Sequence, residues 1–241
     1  MMKTKNKNRR TLLVSEKGNV FFFILLAVVL FGALSYMVAR SMRSQNITIL
    51  TERQAELAAS DIISYAQKLE LGVNKIVRQG VSETEISFEH PNNAYLDTNA
   101  NCVTNNCKLY HLEGGGVMWQ APPTDATDMS WNYTKNHKIP GYGGTGHAGL
   151  VLHLPGLSEK LCEVINRKLG YNFSSIPEET GSMAATPFDG NYANGNTISC
   201  AANECDEKIS MCINFSGNYG IAGTPYGSQY VFYYGLYILP D

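Results

Sequence analysis

The sequence predicts an α+β fold. One long N-terminal helix, a transmembrane half followed by an amphipathic half, is expected to pack on a mainly antiparallel β-sheet head stabilised by disulfides. Three observations lead there. Asn19 to Ala39 is a run without charge or proline; apolar residues between Ala58 and Ile76 recur at helical spacing; and beyond Gly80 the composition turns to asparagine, glycine, tyrosine and short β-prone runs containing every cysteine of the chain.

The first element is a basic leader, 1–18, in which Lys3, Lys5, Lys7, Arg9, Arg10 and Lys17 face the single acid Glu16. The uncharged run after it spans roughly the ~30 Å of a bilayer's hydrocarbon at ~1.5 Å of rise per residue, so 19–43 reads as a transmembrane helix. Only Arg40 and Arg43 follow on the far side. The excess of positive charge keeps the N-terminus in the cytoplasm and sends everything after Arg40 across the membrane. A cleaved secretory signal is the competitor, but its apolar core is shorter, about 7 to 15 residues, and Ala33-Leu34-Ser35 is a poor cleavage site in mid-run.

The second half of the helix, 44–79, is expected from Ala58, Ile62, Tyr65, Leu69, Val73 and Ile76, which share one face, while Asp61, Lys68 and Lys75 recur every seventh residue on another. Gly80 is the natural stop. Gly72 works against the pattern, since glycine inside a helix costs ~1 kcal/mol relative to alanine.

The head, 80–241, is about 160 residues, an ordinary size for one domain with its own core. Strands are expected over 84–89, 108–113, 117–121, 148–154, 208–215 and 229–239, with Gly114-Gly115-Gly116 as a hairpin turn. A helix capped by Ser158, with Leu161, Ile165 and Leu169 on one face and Gly170 closing it, interrupts them. The last strand is apolar on both faces, which makes it either central and covered twice or covered in part by a neighbouring subunit.

Cys102, Cys107, Cys162, Cys200, Cys205 and Cys212 all lie in the head, on the oxidising side by the charge asymmetry. An even number there reads as a disulfide framework whose pairing sequence leaves open. Cys102 with Cys107 and Cys200 with Cys205 could close local loops, after which Cys162 and Cys212 would join the helix to a strand. A zinc site made from the two close pairs is the alternative.

A search for catalytic chemistry identifies no catalytic residue. His90, His111, His137, His147 and His153 form no two-histidine helical motif, Ser210 and Ser216 lack a nucleophile elbow, and Cys162 lacks a cysteine-protease neighbourhood. The glycine-rich stretch Gly141 to Gly146 is followed by no lysine and opens no helix, so it reads as a loop. Asp97, Asn99 and Asn101 are a candidate calcium set, with an asparagine-rich turn as the other reading; Cys102 and Lys108 occupy positions where an EF-hand has glycine and glutamate. No cofactor is implied. The chain is formally at −2. Since the leader holds most of the clustered basic charge, the remainder is acidic and shows no basic groove for direct nucleic-acid binding.

The junction Glu16-Lys17-Gly18-Asn19-Val20-Phe21-Phe22-Phe23-Ile24 resembles the processing site of the type IV pilin and pseudopilin family. Gly18 matches the glycine after which a prepilin peptidase cuts, and Asn19 would become the mature N-terminus. The resemblance implies a structural filament subunit rather than an enzyme. Its partners would be the membrane, other pilin-like subunits, the peptidase and an assembly platform, and its place the bacterial inner membrane as a single-pass protein with the head periplasmic or extracellular in the filament. Type IVb pilins also join a helix cysteine to one near the C-terminus, which supports a Cys162–Cys212 bridge. Phe23 stands where the family usually has a glutamate, a departure found among minor subunits. The alternative is a single-pass anchored periplasmic binding or adhesion module that does not polymerise.

Overall fold

The computed structural model describes residues 17–90, 99–142, 149–179, 183–192, 195–221 and 224–237. It divides into two compact units, Met1–Thr51 and Glu52–Asp241. Helix α1 is Lys17–Arg78. The fold departs from the expected one in two respects.

The first concerns the transmembrane half expected over 19–43. Among the described residues, no helix is long and apolar enough to cross a membrane. The described apolar side chains of the first unit occupy 22–32, and eleven residues at ~1.5 Å each cover about 16 Å, roughly half of a ~30 Å hydrocarbon layer. The second concerns the sheet. It is mixed, because short parallel pairs flank its long antiparallel ladders.

The sheet's strands are β1 Asn132–Lys138, β2 Gly149–Leu157, β3 Glu178–Glu179, β4 Met183–Ala185, β5 Asn196–Thr197, β6 Ser210–Ile221 and β7 Thr224–Tyr237, with helix α2, Glu159–Lys168, between β2 and β3. Their order is β3-β6-β7-β2-β1-β5, and β4 also pairs with β6. The long ladders β1–β2, β2–β7 and β6–β7 are antiparallel, whereas β5 runs parallel to β1, and β3 and β4 run parallel to β6. Each parallel pair joins strands far apart in sequence, since strands running in the same direction need a long crossover and not a tight hairpin.

β7 is the central strand. Phe232, Tyr234 and Leu236 enter the main core on one face of the sheet, while Val231 and Tyr233 enter a second, smaller core on the other. Over 231–236 the doubly apolar pattern is therefore satisfied within the chain, while 238 and 239 of the expected strand lie outside the described residues. Tyr237 departs from simple alternation and joins the main core, because a register shift separates the Val151–Gly235 pair from Leu150–Tyr237. Such an irregularity moves the following side chain to the opposite face.

On the main-core side lies α1, which buries Ala58, Ile62, Tyr65, Leu69, Val73 and Ile76. Beside it, α2 buries Leu161, Val164 and Ile165. Ser158 caps α2, its hydroxyl accepting from the Leu161 amide at 3.2 Å, and thereby satisfies one of the amides that a helix start leaves without a partner. Tyr234 on β7 donates to Glu70 on α1 at 2.6 Å. The second core contains Ile139, Ala185, Ile198, Met211, Ile213 and Phe215.

Three expected strands are not regular strands. Within 84–89, a short 3-10 turn Glu83–Glu85 is followed by one isolated bridge from Ser87 to Lys108. The 108–113 stretch is mostly turn, and 117–121 is extended without strand pairing. Gly114, Gly115 and Gly116 do not close a hairpin. Instead they fold back under Leu109, with the Gly115 amide donating to the Lys108 carbonyl at 3.1 Å and the Val117 amide to the Leu109 carbonyl at 3.2 Å.

Candidate functional site

Two surfaces stand out, one in each unit. In the first unit, Phe22, Phe23, Val28, Val29 and Phe31 on α1 are all at least 60% exposed. Positions 22–26 and 28–31 are consecutive, so this part of the helix is apolar on every side rather than along one stripe. A helix of that kind is stable where other apolar groups surround it.

In the second unit, a groove of about 510 Å³ runs between α1 and the extended 115–120 segment. Gly72 makes the close approach possible. A Cβ there would lie 2.5 Å from Val117 Cγ2 and 2.7 Å from Leu109 Cδ1, so the glycine that weakens the helix pattern is the contact point for the loop. Leu71 and Gly72 line the groove from the helix, and Gly115, Gly116, Val117, Met118 and Trp119 line it from the loop. Trp119 stacks on His90 with ring centroids 4.4 Å apart. The wall is fixed through Gln120, whose amide donates to the Tyr65 hydroxyl at 3.0 Å and whose carbonyl accepts from the Trp131 indole at 2.9 Å.

Lys68 and Lys75 line the groove from the helix side, and the described lining includes no acid. Seven residues apart on a helix, they lie about 10 Å from each other along the axis. Lys75 Nζ also donates to the Leu112 carbonyl at 3.3 Å, which holds it at the groove's edge. The Tyr110 hydroxyl behind this wall is buried against those of Tyr65 and Tyr133, and burial pushes its pKa well above the ordinary phenol value.

All six cysteines are paired, as Cys102–Cys107, Cys162–Cys212 and Cys200–Cys205. The zinc alternative is thereby overturned, because a disulfide sulfur is not a thiolate ligand. Among the described residues no group of three or more His, Cys, Asp or Glu side chains could hold a metal. The Cys162–Cys212 bridge has a companion that the sequence did not suggest. Asn166 on α2 donates through Nδ2 to the Cys212 carbonyl and accepts through Oδ1 from the Cys212 amide, both at 2.8 Å. It thus supplies to β6 the pair of bonds that a neighbouring strand would supply. A buried asparagine on the sheet-facing side of a helix was the available signal.

Of the calcium candidates, Asp97 lies outside the described residues. Asn99 is buried, donating to the carbonyls of Thr84 at 2.7 Å and Ile86 at 2.9 Å, while its Oδ1 accepts from the Asn101 amide at 2.9 Å. Its amide braces the loop against 84–86. Asn101 is exposed. Gly18 and Asn19 lie in the first turn of α1, and the glycine-rich stretch beyond Tyr142, with His147, lies outside the described residues.

His137 on β1 and His153 on β2 are fully buried with their rings stacked at 4.7 Å. His137 Nδ1 meets the Thr134 hydroxyl at 3.1 Å, and its Nε2 has no hydrogen-bond partner. Burial lowers the pKa of His137 to about 3. It also lowers that of His153 well below the ordinary histidine value, with the neighbouring His137 adding to the effect. Both rings are therefore neutral at physiological pH, their burial in the sheet disfavouring the charged form.

No family model, curated protein or solved structure matches this chain.

Proposed function

We propose that the chain is a structural, non-enzymatic subunit of a type IV pilus-like or pseudopilus filament. The carrying observation is the contrast along α1: Phe22 to Phe31 are exposed on every side of the helix, while Ala58 to Ile76 bury one face in the head. An apolar surface of the first kind is stable when other copies of the same helix cover it, and burying a phenylalanine or leucine side chain gains about 1.5 to 3 kcal/mol. The resemblance at Lys17-Gly18-Asn19 supplies the second support, and three disulfides suit a head exposed to an oxidising compartment.

Phe23 refines the reading to a minor or initiating subunit. A terminal amine buried in an apolar bundle is costly without a carboxylate near it, and a phenyl ring provides none. The test is determination of the mature N-terminus in the native host, with quantitative mass spectrometry of sheared filaments. A chain beginning at Asn19, present in few copies and no longer matured as Gly18→Val, supports the reading. A chain that keeps its leader and never sediments with filaments refutes it.

A further inference from the structure

Around Lys68, Leu71, Lys75 and Met118 the compact unit 52–241 leaves apolar and charged groups unused. Leu71 is 68% exposed and Met118 86%, and both lie along one groove with the two lysines. Lys68 and Lys75 are exposed, and among the described residues neither pairs with a carboxylate. Large apolar side chains grouped in the open, with charge at their rim, mark a contact with another molecule.

The loop 200–207 carries the opposite charge. Asp206 and Glu207 are exposed, and among the described residues no ion pair engages either; Lys208 turns its ammonium over the Tyr171 ring instead. The Cys200–Cys205 bridge closes the loop. The Glu207 amide donates to the Pro140 carbonyl at 2.9 Å, and the Tyr142 hydroxyl donates to the Glu207 carbonyl at 3.2 Å. Tyr142 is itself 37% exposed, so an aromatic ring stands beside the two carboxylates. Cys200 and Cys205 belong to the second core, whereas α1 covers the main core on the other face of the sheet. The basic and acidic patches therefore lie on opposite faces of one unit and can meet only between copies.

We propose that this unit binds a second copy of itself head to tail, with Lys68, Leu71, Lys75 and Met118 of one copy against Asp206, Glu207 and Tyr142 of the next. Complementary charge selects the pairing, since either patch set against its own kind brings like charges together. Patches on opposite faces cannot both be used in a two-fold dimer. The contact is therefore heterologous and leaves one patch of each kind open at the ends. Such a contact extends into a row, and in a minor or initiating subunit it joins the few copies present. It goes beyond the filament reading, because it belongs to 52–241 and holds or fails without the exposed apolar segment of α1.

The experiment uses the full chain with its disulfides intact, in a nonionic detergent that covers the exposed side chains from Phe22 to Phe31. Sedimentation velocity follows self-association. Carbodiimide coupling of an equal mixture of nitrogen-14 and nitrogen-15 chains identifies which lysines and carboxylates meet between copies. Species larger than a dimer are expected, with mixed-isotope links from Lys68 or Lys75 to Asp206 or Glu207. Lys68→Glu with Lys75→Glu is expected to weaken association about tenfold, the order for two exposed charge pairs, as is Asp206→Lys with Glu207→Lys. Mixed one to one, the two double variants can alternate along the row and should recover the parental association. All four side chains are exposed, so the variants keep the fold, which an unchanged circular dichroism spectrum verifies. A monomer throughout, association that stops at a dimer, links that join only other residues, or a mixture no tighter than either variant alone would each overturn the proposal. Filament membership is read separately, from the mature N-terminus and sheared filaments, so either conclusion can fail alone.

Discussion

Gly72→Ala tests whether the loop against α1 or the helix itself decides the residue at that position. Two effects oppose one another. Replacing a helix-interior glycine by alanine gains about 1 kcal/mol in helix propensity. Against this, the new methyl would sit 2.5 Å from Val117 Cγ2 and 2.7 Å from Leu109 Cδ1, well inside the ~3.5 to 4.0 Å optimum for two carbons. Leu109 is fully buried, so it has little room to retreat. Overpacking of this kind costs about 1 to 3 kcal/mol, and the balance is destabilising by up to about 2 kcal/mol. Urea denaturation of the disulfide-intact chain would measure it, with the double variant Gly72→Ala/Val117→Ala as a cycle. Removing Val117's methyls makes room for the new one, so the alanine should cost about 1 kcal/mol less in that background than in the parent. Gly32, whose added Cβ would meet nothing within 4 Å, is the contrasting position where only propensity acts. The reasoning is wrong if Gly72→Ala alone stabilises the head by about 1 kcal/mol, because the close approach would then carry no weight.

Further expectations concern the head. Stability should fall as pH drops from 6.5 towards 3, because the unfolded chain protonates His137 and His153 while the folded chain, with His137 at about 3, does not; the slope is about 1.4 kcal/mol per pH unit for each histidine. The contribution is fully present above pH 6.5. Denaturation midpoints that stay flat between pH 7 and 5, or a His137→Gln variant as acid-sensitive as the parent, would contradict it. Replacing Cys162 and Cys212 by serine removes a bridge with a sequence separation of 50, and loop entropy puts the loss at about 4 kcal/mol. For the Cys102–Cys107 bridge, with a separation of 5, the same estimate is about 2 kcal/mol, so thermal scans of the two double variants should rank in that order. Asn166→Ala should cost about 2 kcal/mol or more, since it leaves the Cys212 amide and carbonyl without the bonds described above; hydrogen exchange at the Cys212 amide should accelerate, and an unchanged rate would argue against that role for Asn166.

What could be read from the sequence was what periodicity and strong punctuation encode. The buried face of α1, α2 with its Ser158 cap, and the strands that became β2, β6 and β7 all carry their pattern locally. The parts not legible there depend on distant partners. β1, Asn132–Lys138, is polar by residue type and is not among the expected strands, yet Asn132, Thr134, Asn136 and His137 are buried, with Thr134 donating to the Val151 carbonyl and Asn136 accepting from the Thr186 amide. The 108–113 and 117–121 runs look β-prone, but Gly114 and Gly115 turn the chain back on itself before a strand partner is reached. The transmembrane half was inferred from composition alone, and the described side chains support only a shorter apolar segment. At the candidate site, Lys68 and Lys75 were visible as a heptad stripe. Their neighbour Trp119 was not, because nothing local reveals that an extended segment 40 residues or more away along the chain lies against that helix face.

The central place of β7 has a consequence for synthesis. Its partners β2 and β6 come earlier in the chain, and Phe232 and Val231 belong to the two different cores. Neither core can close until 224–237 has left the ribosome, however early α1 and α2 become helical. The pairing of His153 with Tyr233 must span a long stretch of chain, a non-local closure of the kind that slows folding. Until then, the apolar faces of β2 and β6 are open to each other's copies, and the nascent head is at its most aggregation-prone immediately before its last strand arrives.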